Sequence, residues 1–321
     1  MSSKNYIEKV AIVGAGGQSG KFMTEEMLKL GKYKVTAITR ADSTSTVPEG
    51  CEIRKIDYAN PASIVDALKG HHALVITMNT RAPPEYQTKL IEAAAEANVP
   101  WVLPNEYGYD ILNPGLHNDI ANIGQKHKEY REHIEKLGKS SWIGVTCGFW
   151  YEYSLAHGPA TFGFDIKNRT VTFIDDGNTK INTSTWRQVG RGVANLLALK
   201  VQPDDDDKSP CLAHYKNKFV YVSSFKISQK DMLDSVLRVT GTTLKHWTIK
   251  HEPSPSRYKA GVEAMYKGDF AGFALMMYSR VFYQDGSGDF ETSKGLQNEV
   301  LGLPEEDLDE ATKVGIQMAG K

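Results

Sequence analysis

Residues 10–20 read Val-Ala-Ile-Val-Gly-Ala-Gly-Gly-Gln-Ser-Gly, a short apolar run that leads into a glycine-rich turn. The apolar run is typical of a buried strand, and a helical pattern follows the last glycine. A strand–turn–helix unit of this kind offers backbone N–H groups and the positive end of a helix dipole, which together can hold a pyrophosphate. The alternative is a tight strand–helix connection without a ligand. We predict a dinucleotide site formed by Gly14, Gly16, Gly17, Gln18, Ser19 and Gly20.

Strand-like and helical patterns alternate from residue 9 to about residue 150. The predicted strands are 9–13, 34–39, 52–56, 73–78, 101–103 and 142–147, and the predicted helices are about 20–31, 61–69, 84–97 and 120–137. Because the strands are almost continuously apolar, they are expected to be parallel and covered by helices on both faces. Residues 1–150 are therefore predicted to form a doubly wound parallel α/β sheet, a Rossmann domain that binds the dinucleotide.

The alternation is less regular after residue 150. Residues 170–182 resemble a hairpin around a glycine-containing turn, 187–199 a helix and 219–222 a strand. Ser228 begins a capping box for the next helix. We expect residues 151–321 to form mainly a smaller, interleaved α+β substrate lobe, with a segment near 215–240 that returns to the Rossmann sheet.

The composition limits the classes of partner. The net charge is −1, with 40% hydrophobic and 24% charged residues, so neither nucleic acid nor an anionic membrane surface is an expected partner. Three cysteines, no signal-peptide pattern and no run of about 18 apolar residues favour a cytoplasmic protein. The nine histidines show no metal-binding spacing, so no metal is expected. A small-molecule substrate and a monomer or homodimer are the remaining expectations.

The end of the second strand indicates which dinucleotide binds. NAD-binding units usually have an acidic residue there, whereas this chain has Ala-Ile-Thr-Arg at 37–40 and no carboxylate before Asp42. The planar, permanently charged guanidinium of Arg40 suits a 2′-phosphate. The alternative is an exposed surface arginine. We therefore predict NADPH as the cofactor.

Two further segments are predicted to lie at the same edge of the sheet. No Tyr-x-x-x-Lys occurs in the chain, so a reductase of this fold would need another proton donor. Ligands of open α/β sheets bind beyond the carboxyl ends of the strands, where residues 103–108 follow one strand and residues 125–131 lie on the helix that comes next. We predict that the cofactor is also contacted there, by Asn79, Pro104, Asn105 and Glu106.

Taken together, these residues resemble the isoflavone reductase-like or NmrA-like proteins, the atypical short-chain dehydrogenases. The resemblance covers about residues 8–240 and rests on the glycine turn, Arg40, Leu-Pro-Asn-Glu-Tyr-Gly at 103–108 and a Lys…Arg…Ile-Glu…Gly pattern at 126–138. Cys-Gly-Phe-Trp-Tyr-Glu at 147–152 is similar to fungal members. The resemblance implies an NADPH-dependent oxidoreductase that reduces a small aromatic or conjugated metabolite, with a lysine as the acid–base residue.

The position of that lysine is ambiguous in this chain. An alignment without a gap puts His127 at the lysine's place, between Lys126 and Lys128. Because residues two apart on a helix point in roughly opposite directions, only one of these lysines can face the site. An ammonium buried beside the cofactor would have a lowered pKa, which suits proton transfer. We predict Lys128 as the catalytic residue, with Lys126 second.

Aromatic residues after the sixth strand are expected to form the substrate pocket, although core packing would explain them nearly as well. The predicted pocket residues are Phe149, Trp150 and Tyr151, together with Tyr107 from the segment after the fifth strand. Two other functions remain open. NmrA-like proteins include regulators that bind NADP(H) without chemistry and sense redox state, and a cofactor-assisted isomerase or cyclase is a third class.

Overall fold

The computed structural model describes residues 5–79, 82–204, 209–269 and 271–320, with the side chains of 121–123 excepted. The strands, in chain order, are β1 (Lys9–Val13), β2 (Lys34–Arg40), β3 (Glu52–Ile56), β4 (Ala73–Ile76), β5 (Trp101–Leu103), β6 (Tyr107–Gly108), β7 (Ser141–Thr146), β8 (Phe149–Trp150), β9 (Phe164–Asp165), β10 (Thr170–Ile174), β11 (Ile181–Ser184), β12 (Lys218–Tyr221), β13 (Phe225–Ile227) and β14 (Thr248–Glu252).

Helices connect most of these strands. In chain order they are α1 (Gln18–Leu30), α2 (Pro61–Leu68), α3 (Pro84–Glu96), α4 (Pro114–Asp119), α5 (Ala121–Leu137), α6 (Tyr151–Ala156), α7 (Trp186–Leu197), α8 (Gln229–Thr240), α9 (Ser254–Tyr266), α10 (Ala271–Val281), α11 (Phe290–Lys294) and α12 (Leu308–Ala319). Among the described residues, no helix combines the length and the apolar character needed to cross a membrane.

The main sheet of the described chain has the parallel order β12-β7-β5-β4-β1-β2-β3, with β6 also paired to β7. The chain runs outward from β1 to β2 and β3 and then returns to β4 on the other side of β1. The strand order therefore reverses between β1 and β4, and loops that diverge there open a crevice at the carboxyl edge of the sheet. The predicted doubly wound parallel sheet is confirmed.

Both faces of the sheet are covered by helices. Val10 and Ile12 of β1 pack with α1 and α7 on one face, while Ala11 and Val13 pack with α2, α3 and α5 on the other. All four side chains are buried, which explains why β1 is continuously apolar instead of alternating. Helix α7 and strand β12, which follow residue 150 in the chain, thus complete the α/β unit around β1.

The remaining elements form a second buried cluster, which contains two small three-stranded sheets of orders β14-β10-β9 and β13-β11-β8. The predicted hairpin over 170–182 is wrong, because β10 pairs with β9 and β14 whereas β11 pairs with β8 and β13. The turn at Asp176 is present, since Asp176 Oδ1 accepts a hydrogen bond from the Asn178 amide. Each flanking strand, however, finds its partners in a different sheet. The capping box at Ser228 and Asp231 is confirmed.

Candidate functional site

The glycine turn lies in the crevice between β1 and β4. Gly14 has a φ of +79°, and a Cβ on it would lie 1.9 Å from the carbonyl oxygen of Thr77, the residue after β4. A Cβ on Gly20 would lie 2.1 Å from the Gly14 carbonyl oxygen. Glycine at these two positions therefore allows a sharp turn after β1 and close packing of α1 against it, as the dinucleotide motif requires.

The N-terminus of α1 has the features of an anion site. Its N-cap, Gly17, provides no side-chain hydrogen bond, and no acidic residue lies in the first turn. Helix geometry gives the N–H groups of Gln18, Ser19 and Gly20 no acceptor within the helix, and Gly17 and Gln18 are exposed. The helix dipole and these donors fit a phosphate group, so the residues present suit a dinucleotide.

Arg40 ends β2 at the same edge of the sheet. Its side chain is 58% exposed, and Nε lies 3.4 Å from Asp42 Oδ1 in an exposed ion pair. The loop after β2 passes close to the glycine turn, since a Cβ on Gly16 would lie 2.1 Å from the Thr46 carbonyl oxygen. The guanidinium is thus free to turn towards a ligand that extends from the glycine turn past the end of β2.

Asn105 follows β5 and is bound to the segment after β4. Its Oδ1 accepts from Met78 N at 3.1 Å, its Nδ2 donates to Met78 O at 3.1 Å, and its own amide donates to Gln87 Oε1 at 3.3 Å. The neighbouring Pro104 is buried. The side chain of Asn105 therefore fixes the backbone at the floor of the crevice, beside Asn79. Both the side-chain amide and the backbone amide of Asn105 already form hydrogen bonds within the protein.

Glu106 is buried and binds two groups of α5. Its side chain is 3% exposed, and Oε2 accepts a hydrogen bond from Arg131 Nη1. Its other oxygen, Oε1, lies 3.8 Å from Nδ1 of His127. The guanidinium of Arg131 is itself held between the rings of Trp142 and Phe219, at 5.4 and 5.1 Å from their centroids. Glu106 thus lies beneath the crevice, against α5, and not on its open surface.

Four buried polar atoms near Glu106 have no hydrogen-bond partner among the described residues. They are Glu106 Oε1, His127 Nδ1, Tyr107 Oη and Tyr109 Oη. Burial raises the pKa of both phenols, and the charge of Glu106 raises each pKa further. Buried polar groups are normally paired, so the unpaired atoms of Glu106 and His127, which face each other at 3.8 Å, indicate a functional region.

Neither predicted lysine joins this cluster. Lys126 is 45% exposed and forms an ion pair with Glu129 at 3.1 Å, while Lys128 is 53% exposed and lies 3.6 Å from Glu132. The hydrogen bond to Glu129 raises the pKa of Lys126, contrary to the expected lowering by burial. We therefore correct the prediction of a buried lysine: the residue of 126–128 that points inwards is His127.

The predicted pocket aromatics have different surroundings. Phe149 stacks on Tyr278 at 4.0 Å between centroids and lines a cavity, together with Tyr109, that has room for about one water. Trp150 is partly buried against the apolar cluster of the main sheet. Tyr151 is fully buried, and its hydroxyl is hydrogen-bonded to Thr312 at 2.7 Å. The prediction that Tyr151 lines a pocket is therefore corrected: it is a core residue.

The sequence profile of the NmrA-like family matches residues 7–157, which contain the glycine turn, Arg40, Glu106 and His127. The profile covers just under half of the chain, so the N-terminal part of this chain is similar to the NmrA-like family. A curated relative, the oxidoreductase aprR of Aspergillus flavus, is 25% identical over 305 residues, which cover 94% of this chain and 96% of the relative. This match covers nearly the whole length of both chains and therefore includes the second buried cluster.

Solved structures share this fold. An isoflavone reductase superposes with a TM-score of 0.73 at 19% identity, and covers 95% of this chain and 98% of its own. AtPrR2 with NADP+ and (+)pinoresinol superposes with a TM-score of 0.74 at 18% identity, covering 96% and 98%. These likenesses establish the fold. Among the described residues, no group of three metal-binding side chains accompanies it.

Proposed function

We propose that this protein is an NADPH-dependent reductase of a small aromatic or conjugated metabolite. The observation that carries the proposal is the glycine turn at the N-terminus of α1, with Arg40 at the same edge of the sheet. A helix N-terminus suits the pyrophosphate, and a guanidinium suits the additional phosphate that distinguishes NADPH from NADH.

Relatives support the choice of reaction class. The relative aprR is named an oxidoreductase and matches this chain over nearly its whole length. AtPrR2 was solved with NADP+ and with the aromatic molecule (+)pinoresinol, which are ligands of that protein. They suggest a cofactor and a type of substrate for this chain, and the partly buried Trp150 is an apolar surface against which an aromatic ring packs in this proposal.

Each part of the crevice then has a separate task. The N–H groups of Gln18, Ser19 and Gly20 bind the pyrophosphate, and Arg40 binds the 2′-phosphate. Asn105 holds the floor of the crevice at Met78, so that the nicotinamide end meets a fixed surface. Bound NADPH supplies a hydride, and the protein supplies orientation and a proton.

The test is a turnover assay with purified protein. NADPH oxidation is followed at 340 nm over a panel of aromatic enones, lignan-like ethers and quinones, and products are identified by mass spectrometry. We expect a product two hydrogens heavier than its substrate for at least one class, with NADPH preferred to NADH. Tight NADP(H) binding without turnover of any class would contradict the reductase and favour a redox-sensing regulator.

A further inference from the structure

We infer that His127 and Glu106 form a proton-transfer dyad, in which His127 is the acid–base residue of the site and Glu106 orients it. The inference rests on the proposed reductase function, because it names the group that exchanges a proton with the substrate. It also accounts for the unpaired buried atoms around Glu106, which neither the fold nor cofactor binding explains.

The carboxylate of Glu106 is fixed so that one oxygen faces the histidine. Arg131 donates to Oε2, and the Trp142 and Phe219 rings hold Arg131 in place. Oε1 is then the oxygen that points to His127 Nδ1, at 3.8 Å. This separation is longer than a hydrogen bond, but catalytic hydrogen bonds are often long without ligand and shorten in the complex. A carboxylate can only accept, so Nδ1 must be the donor in this pair.

The position of His127 on α5 explains why it reaches the carboxylate. Residues 127, 130, 131 and 134 recur at helical spacing and form the buried face of the helix, with Tyr130 8% and Ile134 1% exposed. The His127 side chain is 21% exposed, and none of this exposure belongs to Nδ1. The ring therefore has a buried edge at Glu106, and the exposed part of the side chain lies away from Nδ1.

The chemistry follows from these two edges. Reduction of a carbonyl adds a hydride to carbon and a proton to oxygen, and the chain has to provide only the proton. Protonated His127 donates the Nε2 proton to the substrate oxygen and keeps its Nδ1 proton, which points to Glu106. The ring ends neutral and takes up a proton from solvent. Glu106 fixes the tautomer and the orientation of the ring, as a buried carboxylate does in hydrolase triads.

The ionisable groups around this histidine come from α5 and from the segment after β5. Glu106 faces Nδ1. The ring centroids of His127 and Tyr130 are 6.4 Å apart, and the two rings are nearly perpendicular. The buried hydroxyls of Tyr107 and Tyr109 lie near Glu106 and carry no charge at neutral pH, since burial raises the pKa of each. The buried edge of His127 therefore faces the ion pair that Glu106 forms with Arg131, with the carboxylate nearer to the ring.

The first experiment reads the tautomer of His127 in the protein without cofactor, from imidazole 15N shifts above pH 7. We expect neutral His127 to carry its proton on Nδ1 in the wild type. In Glu106→Gln the amide oxygen can still accept from Arg131 while its N–H₂ faces Nδ1, so the proton should move to Nε2. A proton on Nε2 in the wild type, or no change in the variant, would overturn the dyad.

The second experiment measures kcat/KM against pH for an identified substrate. His127→Gln should lower kcat/KM by about 10²- to 10⁴-fold, the usual contribution of acid–base catalysis, and should abolish the fall in activity at high pH. His127→Lys should restore activity in part and move that fall to higher pH, because a lysine keeps its proton longer. His133→Gln is the matched control, since His133 is on the same helix, is 31% exposed and pairs with Glu92.

NADPH affinity separates the possible failures. Each variant should bind NADPH within about three-fold of the wild type, because neither residue is placed at the phosphate site. If the wild type turns over and His127→Gln retains its rate and pH profile, the dyad is wrong and the proposed function stands. If the wild type turns over no substrate of the panel, the proposed function fails, while the tautomer experiment still tests the dyad.

Discussion

Asn105 holds Met78 by two side-chain hydrogen bonds, one to the Met78 amide and one to its carbonyl, each at 3.1 Å. Met78 directly follows Thr77, whose carbonyl oxygen lies against Gly14, and Asn105 directly precedes Glu106. One side chain thus connects the glycine turn to the Glu106–His127 pair. Two parts of the site that lie far apart in the sequence share this rigid connection.

Asn105→Ala should destabilise the protein and disorder the site together. The substitution leaves the N–H and C=O of Met78 without their side-chain partners, and the loss of these two part-buried hydrogen bonds should cost about 1–3 kcal/mol together. We expect a lower free energy of unfolding in urea and weaker NADPH binding. Asn168→Ala, in an exposed turn, is the control and should change neither quantity. Unchanged NADPH affinity in Asn105→Ala would show that the hydrogen bonds between Asn105 and Met78 are not needed for cofactor binding.

Arg40→Ala should remove the preference for NADPH. Loss of a charge-assisted contact to the 2′-phosphate should weaken NADPH binding about ten- to hundred-fold and leave NADH binding within about three-fold. Fluorescence titration with both nucleotides measures the two affinities. Arg238→Ala is the control, because Arg238 has similar exposure, 56%, and also pairs with an aspartate. An unchanged NADPH preference in Arg40→Ala would contradict the assignment of the 2′-phosphate site.

Lys126→Met and Lys128→Met should have small effects. Both lysines form exposed ion pairs with glutamates of their own helix, and such pairs contribute about 0–1 kcal/mol. We expect the free energy of unfolding to change by less than about 1 kcal/mol. The value of kcat/KM should stay within about two-fold, because neither ammonium reaches Glu106. A loss of activity of 10²-fold or more in either variant would restore the lysine as the acid–base residue.

Tyr151→Phe should affect stability and not substrate binding. The buried hydroxyl loses its hydrogen bond to Thr312, which should cost about 1 kcal/mol of unfolding free energy. Thermal unfolding and KM are measured side by side, with Tyr266→Phe as the control, because Tyr266 is 89% exposed. A change in KM with unchanged stability would place Tyr151 in the substrate pocket after all.

Glu152→Gln should stabilise the protein at alkaline pH. Glu152 is buried beside the Trp186 amide, and burial raises its pKa to about 7 from 4.5. Because the folded pKa lies above the unfolded one, the stability that this group contributes is complete below about pH 4.5 and is lost as the pH rises through about 7. The loss is about 3 kcal/mol at most.

The glutamine variant has no such loss, so its melting temperature should exceed that of the wild type at pH 8 and be close to it at pH 5. Glu263→Gln serves as the control, since Glu263 is 58% exposed on α9. If the melting temperatures of Glu152→Gln and the wild type differ by the same amount at pH 5 and at pH 8, the raised pKa of Glu152 is contradicted.

The α/β unit was predictable because its determinants are local. Strand β1 is apolar on both faces, and the glycine spacing after it is a short-range signal, since Gly20 packs directly against the Gly14 carbonyl oxygen. The two small sheets were not predictable in this way. Strands β10 and β11 are separated by a correct turn signal, but their partners β14, β8 and β13 lie far along the chain.

Part of the candidate site could have been found from spacing alone. His127, Tyr130, Arg131 and Ile134 recur at helical intervals, which marks the inward face of α5. The family resemblance implies a lysine on this helix and therefore favours Lys126 and Lys128, although the helical spacing places His127 on the inward face. Tyr151 was misplaced for a different reason: its hydroxyl is satisfied by Thr312 on α12, a contact that no local pattern indicates.

The most direct test of the central claim is a titration of the wild-type protein with NADPH and with NADH, followed by nucleotide fluorescence at physiological salt. The N-terminus of α1 and Arg40 predict saturable binding of NADPH, about ten-fold or more tighter than that of NADH. Binding of neither nucleotide, or equal affinity for both, would contradict the account.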